Sequence, residues 1–434
     1  MRQNAENWLE VADRVHKFRR DLLSEAQNKR LLAMTGELRL RLKEKADAAK
    51  LKLAIEALEG VLRETGGRLY PTSSLVENVE FFLVAAIVIL GLRAYFIQPF
   101  KIPTHSMWPS YYGMTPQVYP RGESPAALRQ AARLVTRGAT NYTVKAPADG
   151  EVLLPILRDG YLAVSEKPGR TLLVFPTDLR EYTISVGGHL VKFEVPADFD
   201  REHDVLAQAF FGGGQGSFRE LFREAANRAG QLESSTLALQ SGDRRGEVRV
   251  GWVPVGRRVR QGETILSFDI LTGDLLFVDR LTYNFLTPKV GSGFVFKTGN
   301  IAGLRDRQGD KYFVKRLVGV PGDELEIKAP VLYRNGKPIE GAAAFDREAR
   351  REGLYPGYVN TQAGRVVQDG VVESEGLLPP GRVVTVPPNK FFAMGDNSPK
   401  SLDSRYWGFV PDKDVIGRPL FIYYPLTSRW GPAH

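Results

Sequence analysis

Lys311-Tyr312-Phe313-Val314-Lys315-Arg316-Leu317-Val318-Gly319-Val320-Pro321-Gly322-Asp323 reads as a β-strand running into a Pro-Gly-Asp turn. Alternate side chains of a strand share a face, so Phe313, Lys315 and Leu317 lie together while Val314 and Arg316 point the other way. A lysine among apolar neighbours loses hydration, and desolvation lowers an ammonium pKa by up to about 3 to 5 units. That makes Lys315 a candidate general base near neutral pH. A lysine snorkelling from a half-buried strand would carry the same pattern.

A base needs a nucleophile, and the chain offers Phe100-Lys101-Ile102-Pro103-Thr104-His105-Ser106-Met107-Trp108-Pro109. Prolines on both sides of Ser106 restrict the backbone, which suits a side chain that must be presented rigidly. Three bases are open to Ser106: the adjacent His105, a distant histidine, or a neutral lysine. Downstream of the strand, Met394-Gly395-Asp396-Asn397-Ser398-Pro399-Lys400-Ser401-Leu402-Asp403-Ser404-Arg405 is a polar loop rich in turn formers, in which Asp403 and Arg405 can pair. An ordinary loop would look similar.

Directly before the serine segment lies the most hydrophobic stretch of the chain. Ser74 and Glu77 have capping-box spacing, and from Val79 to Ile97 only Glu80 and Arg93 are charged. The strict apolar run, Phe81 to Leu92, is short enough for a buried core helix. Phe81, Phe82, Tyr95 and Phe96 at its ends, with Arg93 placed to snorkel, point instead to a membrane span. It is not at the amino terminus, so it does not read as a cleaved signal peptide. Upstream, Trp8, Val11, Val15, Phe18 and Leu22, and later Leu51, Ile55, Leu58 and Leu62, repeat at helical spacing. Gly36 between the two stripes predicts a helical hairpin or short coiled coil, with Gly60 and Gly66-Gly67 marking its exit.

The chain has 434 residues, 43% hydrophobic and 25% charged, so two or three folded domains are expected, and not a disordered, collagenous or polytopic membrane protein. It contains no cysteine, which excludes disulfides and thiolate chemistry, and five scattered histidines without metal spacing. The net charge of +9 comes without a dense basic patch, so nucleic-acid binding is not expected.

Together the three polar segments resemble the type I signal peptidases, membrane-anchored Ser/Lys proteases of bacteria. The serine segment is similar to the family's Ile-Pro-Ser-Gly-Ser-Met-x-Pro, the lysine segment to its Tyr-x-Lys-Arg-x-x-Gly-x-Pro-Gly-Asp, and the loop to its Gly-Asp-Asn-x-x-x-Ser-x-Asp-Ser-Arg. Gly273-Asp274-Leu275-Leu276-Phe277-Val278 resembles a further strand box. The resemblance covers about 79–112, 272–340 and 385–425. It implies a mainly β catalytic domain with one transmembrane helix. It assigns Ser106 as nucleophile, Lys315 as general base, and Thr104 with the Ser106 N–H as oxyanion hole. Ser401 would orient the lysine, Asp403 and Arg405 would form a supporting ion pair, and Gly395 and Asp396 would start a closely packed loop. Ile102, Pro103 and Met107 would border pockets for small substrate side chains. No cofactor or metal is implied; the partners are preprotein signal peptides, the lipid bilayer and the translocation machinery, at the plasma membrane with the catalytic domain outside the cytoplasm.

On this reading 1–73 is a cytoplasmic helical region, 74–98 the transmembrane helix, and 99–112 with 272–434 the catalytic domain. Residues 113–271 are an insertion. Its Val144-Lys145-Ala146-Pro147-Ala148-Asp149-Gly150-Glu151-Val152 and the Val253 to Leu266 stretch look like the two edges of a lipoyl-like sandwich, without the Asp-Lys-Ala hairpin that would carry a prosthetic group. A helix is expected near 217–232, opened by a Ser217/Glu220 capping box, after a flexible connector at Gly212-Gly213-Gly214. Three departures from the family stand out: this insertion, His105 where the family has a small or variable residue, and Ser398-Pro399-Lys400 in place of Arg-Asp-Asn. Two other readings fit parts of the sequence. A self-cleaving repressor-type Ser/Lys peptidase would need a DNA-binding head and no span. A non-catalytic envelope adaptor would use the lipoyl-like domain and keep the protease motifs as vestiges.

Overall fold

The computed structural model describes the chain except for residues 71–73, 120–124, 172–174, 213–216, 243, 305–310, 362–366, 369–370, 373–375 and 434. It divides into two compact units, Met1–Gly91 and Leu92–His434.

Residues 1–70 of the first unit form three helices where the sequence predicted two: Arg2–Arg19, Glu25–Lys43 and Ala48–Thr65. The apolar residues of the middle helix form no clear stripe; cap chemistry starts it. Ser24 Oγ accepts from the Gln27 N–H while Gln27 Oε1 accepts from the Ser24 N–H, and Asp47 caps the next helix through the Lys50 N–H at 2.8 Å. Gly36 and Gly60 lie inside helices, at solvent-facing positions where glycine costs only about 1 kcal/mol. Val15, Leu31, Leu38, Leu51, Leu58 and Leu62 build the core, whereas Phe18 and Leu22, expected to share that stripe, are exposed.

A further helix, Ser74–Tyr95, contains a segment long and apolar enough to cross a membrane, Asn78–Tyr95, none of it buried. Exposed Phe81, Phe82, Ile87 and Ile89 disagree with the core-helix alternative. The side chains of Ser74 and Glu77 lie outside the described residues.

In the second unit an eight-stranded antiparallel sheet runs in the order 97–101, 275–279, 415–424, 293–297, 312–319, 390–394 and 410–411, with 431–432 beside 415–424. Alternation along its strands gives it two buried faces. Phe294, Phe296, Leu317, Phe391 and Trp407 pack on one; Val295, Leu276, Val278, Ile102, Met107 and Tyr111 pack on the other. Beyond this sheet a four-stranded one (337–338, 331–334, 324–328, 384–385) packs with helix Ala343–Arg350 around Leu325, Phe345 and Phe392.

Residues 113–271 contribute a three-stranded sheet (115–118, 264–271, 140–145) and a six-stranded one. The expected edges do meet: Gly150 pairs with Val259, Glu151 with Arg258, and Lys145 with Thr264. Strand Gly150–Ile156 also pairs with Phe175–Val186, so the six-stranded sheet curls back on itself. Helix Phe218–Ala229 has the predicted Ser217/Glu220 box, but it ends at Gly230, before Leu232. Two helices were missed, Ala127–Arg137 and Glu202–Phe211. Gly213 and Gly214 of the expected connector lie outside the described residues.

Candidate active site

Ser106 sits in a single 3-10 turn, His105–Met107, between the two prolines. The reason is hydrogen bonding from the polar loop. Asn397 donates its backbone N–H to the Ser106 carbonyl and its side-chain amide to the His105 carbonyl, both at 3.1 Å. Successive carbonyls can reach one donor residue only if the backbone turns, because a strand sends them to opposite edges. The Trp108 N–H closes the turn on His105 O at 3.0 Å.

Strand Tyr312–Gly319 carries Lys315 on the face of Phe313 and Leu317, as the alternation required. Lys315 Nζ is hydrogen-bonded to Ser106 Oγ. Burial pushes the Lys315 ammonium down to about 8; the Asp403 and Asp396 carboxylates work against this, and Arg405 works with it. Thr104 Oγ1 lies 3.4 Å from Ser106 Oγ. The competing base is occupied elsewhere: His105 Nδ1 faces Asp200 Oδ1 and its Nε2 faces Thr115 Oγ1, each at 3.3 Å.

The polar loop is the most completely bonded part of the site. Asp403 and Arg405 form a fully buried ion pair at 2.8 Å, and Asp403 also accepts the Gly395 N–H at 3.0 Å. Arg405 further donates to the carbonyls of Val359, Ser398 and Ser401. A Cβ on Gly395 would overlap Ser401 Oγ and the Ser106 carbonyl oxygen, so only glycine lets the loop lie against the turn. Ser401 Oγ is buried with no hydrogen-bond partner among the described residues; the bond to Lys315 that would orient it is not made here. Ile102 and Met107, expected beside substrate pockets, are buried in the apolar cluster under the sheet, whereas Pro103 is partly exposed. Among the described residues no group of three or more His, Asp or Glu is placed to hold a metal ion.

Sequence reasoning missed a second buried pair. Arg316 forks onto Asp396, Nε to Oδ1 at 2.7 Å and Nη2 to Oδ2 at 2.6 Å, and reaches Ser110 Oγ at 3.1 Å. The signal was present, since Arg316 alternates with Lys315 and must face the opposite core, where a guanidinium requires a carboxylate. A third pair, Asp274 with Arg429 at 2.7 Å, holds the Tyr112 N–H through Asp274.

The family profile described as signal peptidase, peptidase S26, matches residues 265–424. That span contains Lys315 and the polar loop; Ser106 lies upstream of it. A probable signal peptidase I-1 from Synechocystis is 30% identical over 159 residues, 37% of this chain and 66% of that protein. Signal peptidase I S of Bacillus subtilis is 32% identical, covering 35% of this chain and 70% of its own length. The chain belongs to the signal peptidase I family. Signal peptidase I of Aquifex aeolicus is 30% identical, again with 70% of its length covered. The chain thus spans about two thirds of the length of each of these three signal peptidases. One departure from the signal peptidase I pattern is accounted for by the structure: Ser398 Oγ accepts from the Val359 N–H at 3.0 Å and from Arg405 Nη1 at 2.8 Å, tying the loop to the segment at Val359.

Proposed function

We propose that this chain is a membrane-bound serine endopeptidase that removes signal peptides from exported preproteins, with Ser106 as nucleophile and neutral Lys315 as general base. One observation carries the reading: a fully buried lysine of lowered pKa is hydrogen-bonded to a serine hydroxyl on a turn that presents it. Lys315 takes the Ser106 proton as Oγ attacks the scissile carbonyl, then returns it to the leaving amine; in the second half it deprotonates the water that hydrolyses the acyl-enzyme. The Ser106 N–H and the Thr104 hydroxyl are the donors available to the developing oxyanion. Ser401 Oγ, buried without a partner among the described residues, is an acceptor for the ammonium once Lys315 is charged. The Asp403–Arg405 pair and Gly395 fix that loop.

In this proposal Asn78–Tyr95 spans the bilayer at the plasma membrane, the catalytic unit lies outside the cytoplasm, and the translocation machinery delivers the substrate. The residues before the cleaved bond are small, as the family resemblance implies. The pairing of 145 and 150–151 with 264 and 258–259 supports the lipoyl-like reading of the insertion edges. Ser106→Ala and Lys315→Ala are each expected to abolish cleavage of a preprotein in detergent; turnover retained by either variant would sink the dyad. Loss in His105→Ala with activity kept in Lys315→Ala would transfer the base to His105.

A further inference from the structure

We propose that Asp200, contributed by the insertion, is a positioning residue that locks the Ser106 turn in its reactive geometry; the inference rests on the peptidase reading above. Asp200 spends both carboxylate oxygens on one residue. Oδ2 accepts the His105 backbone N–H at 3.0 Å, and Oδ1 lies 3.3 Å from His105 Nδ1. That N–H opens the 3-10 turn and would otherwise lack a partner, because Thr104 makes no side-chain cap. Asn397 holds the carbonyls of His105 and Ser106 from the other side. The turn is therefore gripped at its donor by the insertion and at its acceptors by the polar loop.

Asp200 is itself firmly placed. Phe199 before it is fully buried, packed in one cluster with Val205 and Leu206, and its N–H bonds Pro196 O at 3.0 Å. Helix Glu202–Phe211 starts two residues later and packs on strand Thr115–Val118, whose Thr115 is the second partner of the His105 ring. Two departures from the family pattern thus explain each other. A histidine stands next to the nucleophile because the insertion supplies a carboxylate for it. Asp200 touches no reacting atom. Its carboxylate adds a small upward pull on the Lys315 pKa, but its contacts are with His105, through which it acts on where Ser106 Oγ and the Ser106 N–H sit, and a misplacement of about 1 Å can cost roughly 100-fold in rate.

The test uses the full chain in detergent micelles, with amide hydrogen exchange over 104–108 and kcat and KM on a signal-peptide substrate as readouts. In Asp200→Ala, exchange over 104–108 should rise about tenfold or more with 312–319 unchanged, and kcat should fall about 10- to 100-fold with KM within about twofold. Asp200→Asn keeps an acceptor for the His105 N–H and should recover part of that loss. The His105→Ala/Asp200→Ala double variant should be no worse than Asp200→Ala. Unchanged exchange over 104–108 in Asp200→Ala overturns the proposal. So does raised exchange with unchanged kcat, or a loss of kcat matched by a loss of folded protein and not relieved in Asp200→Asn. If the parent chain cleaves no signal peptide, the peptidase reading fails by itself, and the exchange measurement still decides whether Asp200 holds the turn.

Discussion

Lys315 and Arg316, neighbours in sequence, leave one strand on opposite faces, and both end on the serine segment: Lys315 Nζ on Ser106 Oγ, Arg316 Nη2 on Ser110 Oγ at 3.1 Å. The strand is thereby pinned to the segment at two points four residues apart. Replacing Arg316 by lysine keeps the charge and loses the fork onto Asp396, leaving buried acceptors unmatched. Arg316→Lys should lower stability by about 2 to 4 kcal/mol, read as a drop in the denaturant midpoint, and reduce kcat more than it raises KM. A wild-type midpoint would show that the pair does not hold the site.

The pH dependence follows from Lys315. Its neutral form is the base and burial places its pKa at about 8, so kcat/KM should rise about tenfold per pH unit below that value and level off above it. A profile already flat between about pH 6 and 8 would require a different base.

Stability should carry the opposite trace of the same burial. Between about 8 and the ordinary value of 10.5 the unfolded chain binds a proton that the folded chain does not. Stability therefore falls as pH drops through that window and stays low beneath it. Lys315→Met removes the penalty. The inactive variant should melt higher than the parent near neutral pH, by no more than about 3 kcal/mol, with the gain gone above about pH 10.5. Equal melting curves at neutral pH would argue that Lys315 is not desolvated.

Gly395 is where two segments touch without side chains. Gly395→Ala places a methyl on Ser401 Oγ and the Ser106 carbonyl, and backbone cannot yield as a flexible side chain does. The expected cost is about 1 to 3 kcal/mol in stability, with a loss of about 100-fold in kcat as the turn is displaced. Near-normal kcat would mean that loop and turn are less tightly coupled than their packing indicates.

Glu348, in helix Ala343–Arg350, accepts the Gly357 N–H at 2.6 Å through Oε2, while Oε1 is buried with no partner among the described residues. Burial, followed by the nearby Asp396 carboxylate, pushes it up to about 8. The folded state then holds a proton that the unfolded chain gives up near 4.5, so this group's contribution to stability declines as pH rises from 4.5 towards 8. Glu348→Gln should match the parent near pH 4.5 and exceed it increasingly up to about pH 8, by at most about 1.4 kcal/mol per unit. A constant difference across that range would show Glu348 to be ionised throughout.

How much was legible in advance depended on whether the signal was local. Alternation along 312–319 placed Lys315 among apolar neighbours, and Asp403 and Arg405, two positions apart, were a recognisable pair. Three segments in order identified the family because each carries its spacing within a dozen residues. The helix 25–43 was missed because its cap, not its periodicity, starts it. The 3-10 turn at Ser106 was missed because Asn397, nearly three hundred positions away, bends it.

By itself, the amino-acid sequence determined the strand alternation, the apolar helix before the serine, the glycine at 395 and the identity of the groups able to do chemistry, all properties of neighbouring residues. Tertiary structure alone decided which hydroxyl meets the lysine, that Arg316 belongs with Asp396, and that Asp200 of the insertion meets His105. These are pairings of single polar atoms across long sequence separations. Nothing local specifies them; the burial that folding imposes does, because a polar group taken out of water must find a partner.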